Sequence, residues 1–253
     1  MTIQEIGKLV DEYNRLSKGL IDYKKYAYYA ATHHSTSIEG STLTESQVIN
    51  LLEFGKPAAN KPFEHHQMVY DHFQAMLLLA DLAQKRKPFS TMFIQQVAAK
   101  VMYSTGSFVN TAVGNFSIAD GEFRLCSVRA GTRTFPDYKK VPKLIQDLCN
   151  ETNLGLKTAK TFQQKCELAF KVHYDLVSIH PFGDGNGRTS RVLMNYVQMY
   201  FGLPLSVVLK QDRIPYINAL EAARQREDIR VFYDFMFLQY AKFLKREIKA
   251  LSA

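Results

Sequence analysis

The chain has 253 residues, 46% of them hydrophobic and 22% charged, the profile of a globular protein long enough to bury a substantial core rather than of a disordered one. Its net charge of +8 is dispersed through short runs (Lys85, Arg86 and Lys87; Lys139 and Lys140; Lys242, Lys245, Arg246 and Lys249), which read as solvated surface and not as a nucleic-acid stripe. No 18-residue apolar stretch exists, the run at 76–79 being stopped by Asp81. Glu5, Asp11 and Glu12 stand where a signal peptide needs apolar residues, so a soluble, cytoplasmic protein with no membrane partner is expected.

Residues from about 4 to 33 read as helical, with Tyr23, Tyr26, Tyr28 and Tyr29 packing a helical interface. At 35–40, Ser35 and Glu39 lie four apart on one helix face, and Gly40 suits a residue just past the helix end. Thr44 and Gln47 then form a capping box for a helix over 45–54. Lysine–proline steps at 56–57 and 61–62 punctuate a loop. A long helix is predicted over 63–84, with Val69, Phe73, Met76, Leu77 and Ala80 on its buried face. Ser90 caps the next helix, from Met92 to Met102. Residues 104–136 are broken by Gly106, Gly114, Gly121 and Gly131. The β-branched and aromatic residues between Arg124 and Phe135 predict a short β-hairpin or extended loop around Gly131.

Pro142 starts a helix to about Cys149. Leu168, Ala169, Val172, Leu176 and Ile179 mark the buried face of a helix that ends near His180, because Pro181 biases that residue away from the helical region. Val192, Leu193, Tyr196, Val197 and Tyr200 resume helical spacing, so 182–187 form a turn feeding a helix N-terminus. Further helices are predicted from Asp212 through Arg224 and over 228–250. Cys126, Cys149 and Cys166 show no Cys-x-x-Cys spacing and read as thiols in a reducing compartment. The pairs His33–His34 and His65–His66 lack metal-ligand spacing and read as solvated or capping histidines, and His173 as a packing or hydrogen-bonding one.

The chemistry concentrates in 180–191. A helix N-terminus offers unpaired N–H groups and partial positive charge, and glycines let the backbone approach an anion. Gly185, Asn186 and Gly187 therefore suit a phosphate nest, and Arg188 and Arg191, three apart, add guanidinium groups that bind phosphates bidentately. Asp184 is a hard ligand for magnesium, and His180 has the basicity to take a proton from a hydroxyl. No Gly-Lys-Ser/Thr follows the glycines, which excludes a Walker A loop.

This segment resembles the Fic family signature, His-x-Phe-x-Asp/Glu-Gly-Asn-Gly/Lys-Arg-x-x-Arg, and matches it at every defined position. The resemblance implies a mainly α fold, a helical bundle with a short β-hairpin flap. It also implies transfer of AMP from Mg²⁺-bound ATP to a Ser, Thr or Tyr hydroxyl of a target protein. By the same resemblance His180 is the general base and Phe182 the loop anchor. Asp184 holds magnesium, Gly185, Asn186 and Gly187 line the anion hole, and Arg188 and Arg191 contact the triphosphate. The flap that pairs with the target would lie between Arg124 and Phe135. Tyr216, four residues before Leu220, would contact adenine or else lie in the core.

The 35–40 segment is similar to the family's inhibitory motif, Ser/Thr-x-x-x-Glu-Gly/Asn, in its N-terminal (class II) position. Ser35, Glu39 and Gly40 would then obstruct Arg191. Two regions are expected: residues 1–60, carrying this motif, and residues 61–253, the Fic core with C-terminal helices. De-AMPylation or another nucleotide donor is the alternative activity, and a nucleic-acid-binding regulator the alternative class. Self-modification and a homodimer are compatible with the sequence, which names no target.

Overall fold

The computed structural model describes residues 1–19, 23–130 and 133–252. Among these are ten α-helices, with two small antiparallel hairpins in the irregular segment between the fifth and the sixth. The first two helices, α1 (Ile3–Ser17) and α2 (Tyr23–Ile38), replace the single helical stretch predicted from 4 to 33. Residues 20–22 lie outside the described residues. Thr2 and Glu5 close a capping box on α1, an entry signal placed upstream of the predicted start. Tyr29 is buried against Phe73 at 5.2 Å, whereas Tyr26 is 46% exposed.

Helix α2 stops where expected. Ser41 N–H donates to the Thr36 carbonyl and Gly40 N–H to the Ser37 carbonyl, while Gly40 takes φ +104°. This is a Schellman closure, and it turns Glu39 off the end of the helix. Helices α3 (Glu45–Phe54), α4 (Phe63–Gln84) and α5 (Thr91–Val101) follow the predicted bounds, with the Thr44–Gln47 capping box and the Ser90 cap both formed. On α4 two of the five positions predicted buried are not, Ala80 being only half-buried. Leu77 is exposed and Leu79 is buried with Val69, Phe73 and Met76, because the packed stripe drifts along the 69–72–76–79 diagonal.

Strands β1 (Phe108–Thr111) and β2 (Gly114–Ser117) pair with Thr111 opposite Gly114. Strands β3 (Arg129–Ala130) and β4 (Arg133–Thr134) pair with Arg129 opposite Thr134. The sequence anticipated the second hairpin but not the first; Gly131 itself lies outside the described residues.

Helix α6 (Val141–Thr158) runs well beyond the predicted end at Cys149. Its Gly155 does not break it: a Cβ there would lie 2.5 Å from Leu168 Cδ1, so the glycine lets α6 pack closely on α7 (Phe162–Ile179). Helices α7 and α8 (Asn186–Tyr200) form the central pair, joined by the 180–185 loop. Helix α8 is buried on almost every side, including the polar Thr189, Ser190, Asn195 and Gln198, since α4, α5 and α7 all pack on it. Asn195 bridges the Arg191 and Ser206 carbonyls, which satisfies its amide in this setting. Helices α9 (Arg213–Gln225) and α10 (Arg230–Leu251) complete the bundle, α10 lying along α1.

His33 and His34 are not solvated as predicted. Both are buried, and His34 Nδ1 accepts the Lys210 N–H, because α2 is enclosed by α4 and the chain before α9. His65 and His66 do serve turns: His65 Nδ1 accepts the Thr42 N–H, and His66 Nε2 accepts the Ala58 N–H. The three cysteines are free thiols, Cys149 and Cys166 buried and Cys126 partly so. No helix among the described residues is long and apolar enough to cross a membrane.

Candidate active site

The α7–α8 connection is set by local chemistry. Pro181 ends the helical conformation, and His180 closes α7 in the left-handed region at φ 53°, ψ 60°, its N–H bonded to the Leu176 carbonyl at 2.8 Å. Such a conformation is uncommon for a non-glycine residue and costs free energy unless the surroundings hold it. Here they do: the buried Arg124 guanidinium donates to the His180 carbonyl at 2.7 Å, and Arg124 N–H donates to the Pro181 carbonyl at 3.0 Å.

The His180 ring stacks on Phe135, centroids 3.9 Å apart and planes 23° apart, and the Arg133 guanidinium lies 4.1 Å from the Phe135 centroid. Burial, then the Arg133 and Arg124 charges, push the His180 pKa down to about 4. The imidazole is therefore neutral near pH 7, the form a proton acceptor requires.

Phe182 is buried and packs on Phe123, as an anchor should. The Asn186 side chain is turned inward, bonding both the N–H and the carbonyl of Phe182 at 3.0 and 2.9 Å. It closes the loop on itself, so the side of Asn186 that can meet an anion is its backbone N–H. Gly185 begins α8 at φ 78° without a side-chain cap, which leaves the N–H groups of Asn186, Gly187 and Arg188 with no helical acceptor. Asp184 is 68% exposed at the rim; one oxygen accepts the Gly185 N–H at 2.6 Å, and the other lies 3.3 Å from Arg188 Nη2.

The two arginines share the first turns of α8 and are equally buried, at 3% exposure. Arg191 is held from within the chain. Its Nε donates to Ser35 Oγ at 2.9 Å, and its Nη2 donates to the Ser35 carbonyl at 3.0 Å and to Glu39 Oε1 at 2.7 Å. Burial alone would favour the neutral Glu39 carboxyl, but Arg191, helped by Arg188 and Arg213, overcomes this and holds its pKa below the usual carboxylate value. A Cβ on Gly187 would sit 2.5 Å from Glu39 Oε1, so the carboxylate lies directly against the first turn of α8. Arg213 Nε also donates to the Ile38 carbonyl at 2.7 Å, fixing the end of α2. Arg188, by contrast, has Nε and Nη1 buried without a protein partner.

Tyr216 is a core residue. It is 4% exposed, and its hydroxyl meets His173 Nε2 at 2.9 Å and also faces Arg191. Sequence reasoning missed Arg124, Asp71 and the His180–Phe135 stack. Asp71 is buried and accepts the Ser104 N–H and hydroxyl at 2.6 and 2.9 Å; burial raises its pKa, and these bonds and the Arg188 charge offset that only in part. Nothing in the local spacing marks Arg124 or Asp71: the guanidinium of Arg124 meets only backbone carbonyls among the described residues, and the Ser104 partner of Asp71 lies 33 residues away.

A helix N-terminus, two buried arginines, a rim carboxylate and a neutral imidazole make a site suited to a polyanion beside a base. Residues 88–198 match the Fic/DOC family model, and the chain carries a domain of that family. The chain is 34% identical to the Drosophila erecta protein adenylyltransferase Fic over 214 residues, covering 84% of itself and 40% of that relative. It thus spans less than half the length of the curated relatives it matches. A Fic-domain signalling protein from Bacteroides thetaiotaomicron superposes with a TM-score of 0.83 at 23% identity, over 98% of this chain and 96% of the other. Fic-1 from C. elegans superposes with a TM-score of 0.81 at 26% identity, over 98% of this chain and 71% of the other.

Proposed function

We propose that this chain transfers AMP from ATP to a hydroxyl of a protein and that its own Glu39 restrains the reaction. The target oxygen attacks the α-phosphorus, the bond to the β-phosphate oxygen breaks, and pyrophosphate leaves. His180 takes the hydroxyl proton. The free N–H groups of 186–188 and the Arg188 guanidinium meet the phosphate charge, the preorganised electrostatics on which phosphoryl transfer depends. The observation that carries this reading is the buried Arg188, whose Nε and Nη1 lack protein partners beside an uncapped helix N-terminus. An unsatisfied buried guanidinium is costly and calls for an anion.

Asp184 fits magnesium. It is an exposed hard-oxygen ligand next to the nest, and magnesium takes one or two carboxylates together with substrate phosphates. The ion would neutralise charge on the leaving pyrophosphate. Restraint by Glu39 rests on its hold on Arg191. The carboxylate fills the guanidinium that a third phosphate would need and puts negative charge on the same helix turn. Targets are protein Ser, Thr or Tyr hydroxyls, the chain's own exposed Tyr70 and Tyr103 included.

The test is transfer of α-labelled ATP to protein by the wild type, by Glu39→Gly, and by Glu39→Gly with His180→Ala. Label is expected on protein with Glu39→Gly, little with the wild type, and none with the double variant. Equal labelling by wild type and Glu39→Gly would remove the inhibitory role. Persistence of label without His180 would remove the base. Absence of label from all three, with release of AMP from a pre-modified target, would reverse the direction of the reaction.

A further inference from the structure

Arg124 is fully buried, at 0% exposure, and the partners of its guanidinium among the described residues are not carboxylates. Its guanidinium instead spans three backbone carbonyls: His180 from Nε at 2.7 Å, Cys126 from Nη1 at 2.7 Å and Pro136 from Nη2 at 2.6 Å. Cys126 precedes β3 and Pro136 follows β4, so two of the three bonds grip the two legs of that hairpin at its base. The third grips the carbonyl of the base itself, and Arg124 N–H holds the next carbonyl, Pro181, at 3.0 Å.

We infer that Arg124 is a positioning residue that sets the β3–β4 hairpin in register with His180, so that whatever segment pairs with the hairpin arrives with its hydroxyl at the imidazole. Three observations converge on this role. His180 sits in a left-handed conformation that needs outside support. Phe135, one residue from the Pro136 anchor, stacks on the His180 ring, so the hairpin base and the imidazole are already matched face to face. The planar fork of an arginine can reach three carbonyls at fixed angles, whereas a lysine offers a single ammonium. Electrostatics follow the same arrangement, the Arg124 charge helping to keep the imidazole neutral.

The inference rests on the proposed transfer activity, and its test separates the two. In the Glu39→Gly background, Arg124→Lys keeps the charge and removes the fork. Loss of register by about 1 Å should lower kcat for protein labelling on the order of 100-fold, with ATP affinity unchanged, since the 186–188 nest and Arg188 are untouched. The second readout needs no activity. The stacked Phe135 ring should shift the His180 ring protons upfield in the NMR spectrum, with His180→Gln assigning the peaks, and Arg124→Lys should abolish that shift. An unchanged kcat, a loss of ATP affinity in step with kcat, or a retained ring shift would each overturn the inference. If the Glu39→Gly parent itself labels nothing, the transfer reading fails and the ring shift alone decides this one. Should Arg124→Lys not fold, Arg124→Gln gives the same two readouts.

Discussion

Arg188 and Arg191 stand one turn apart on the same helix, equally buried, and differ in one respect. Arg191 is met from α2 by Ser35 and Glu39 and from α9 by the Tyr216 hydroxyl, whereas Arg188 keeps two nitrogens without a protein partner and a 3.3 Å contact to the exposed Asp184 carboxylate. Burying a guanidinium costs free energy unless its donors are satisfied. The chain has satisfied one from within and left the other for something outside. The difference turns a static pair into a statement about order: an anion reaching Arg188 meets a competitor only when it extends toward Arg191.

The largest effect should come from making the two arginines alike. Glu39→Gly removes the internal anion, and correct seating of the phosphates is expected to raise the transfer rate on the order of 100-fold. Labelling kinetics at saturating ATP would show this, and a change confined to ATP affinity would mean that Glu39 only excludes nucleotide. The converse variant, Arg188→Ala, removes the open member. Charge-assisted hydrogen bonds contribute about 1.5–3 kcal/mol each, so ATP should bind about 10- to 100-fold more weakly to the restrained protein. Calorimetric titration measures it, and equal ATP affinity in Arg188→Ala and wild type would erase the asymmetry argued above.

Much of this pair was legible beforehand, for reasons that differ by residue. The 180–191 loop announces itself because its glycines, arginines and acid–base groups must be contiguous to form a helix-terminus nest. Glu39 was legible only through resemblance, since a glutamate four residues from a serine near a helix end is ordinary, and the 152-residue separation from Arg191 is a fact of tertiary structure. Helices α3, α4 and α5 carry caps or periodicity within their own span, and their bounds followed. Helix α6 runs on past its predicted end at Cys149 and through Gly155, whose missing Cβ serves the packing of α7. Arg124 was invisible for the deeper reason that all its partners are backbone carbonyls, which leave no trace in side-chain pattern.

Two smaller tests sharpen the contrast from behind the arginines. His72 is buried, with its pKa pushed down to about 3 by desolvation and then by the charges of Arg191 and Arg188. The unfolded chain binds that proton near pH 6.5 and the folded one does not, so between these values the unfolded state holds more protons. The contribution of His72 to stability is thus complete above pH 6.5 and is lost as pH falls. His72→Asn should flatten the pH dependence of unfolding free energy by about 1.4 kcal/mol per pH unit in that window; an unchanged slope from denaturant titrations would mean that His72 is not shielded as described. Glu39 runs the other way in mechanism but not in sign. Its carboxyl is held below its ordinary value by Arg191 against the cost of burial, so the ion pair supports the fold above the unfolded carboxylate range and fails only as pH drops through the lowered one. The restraint should therefore persist through the histidine window. The smallest effect belongs to Tyr216→Phe, which deletes the hydroxyl that meets His173 and Arg191 and leaves the ring in place. It should cost about 1 kcal/mol of stability and leave ATP affinity untouched, because a residue only 4% exposed has no face to offer a base. A fall in ATP affinity without a fall in stability would move Tyr216 from the core into the nucleotide site, and would mean that α9 shifts when the site fills.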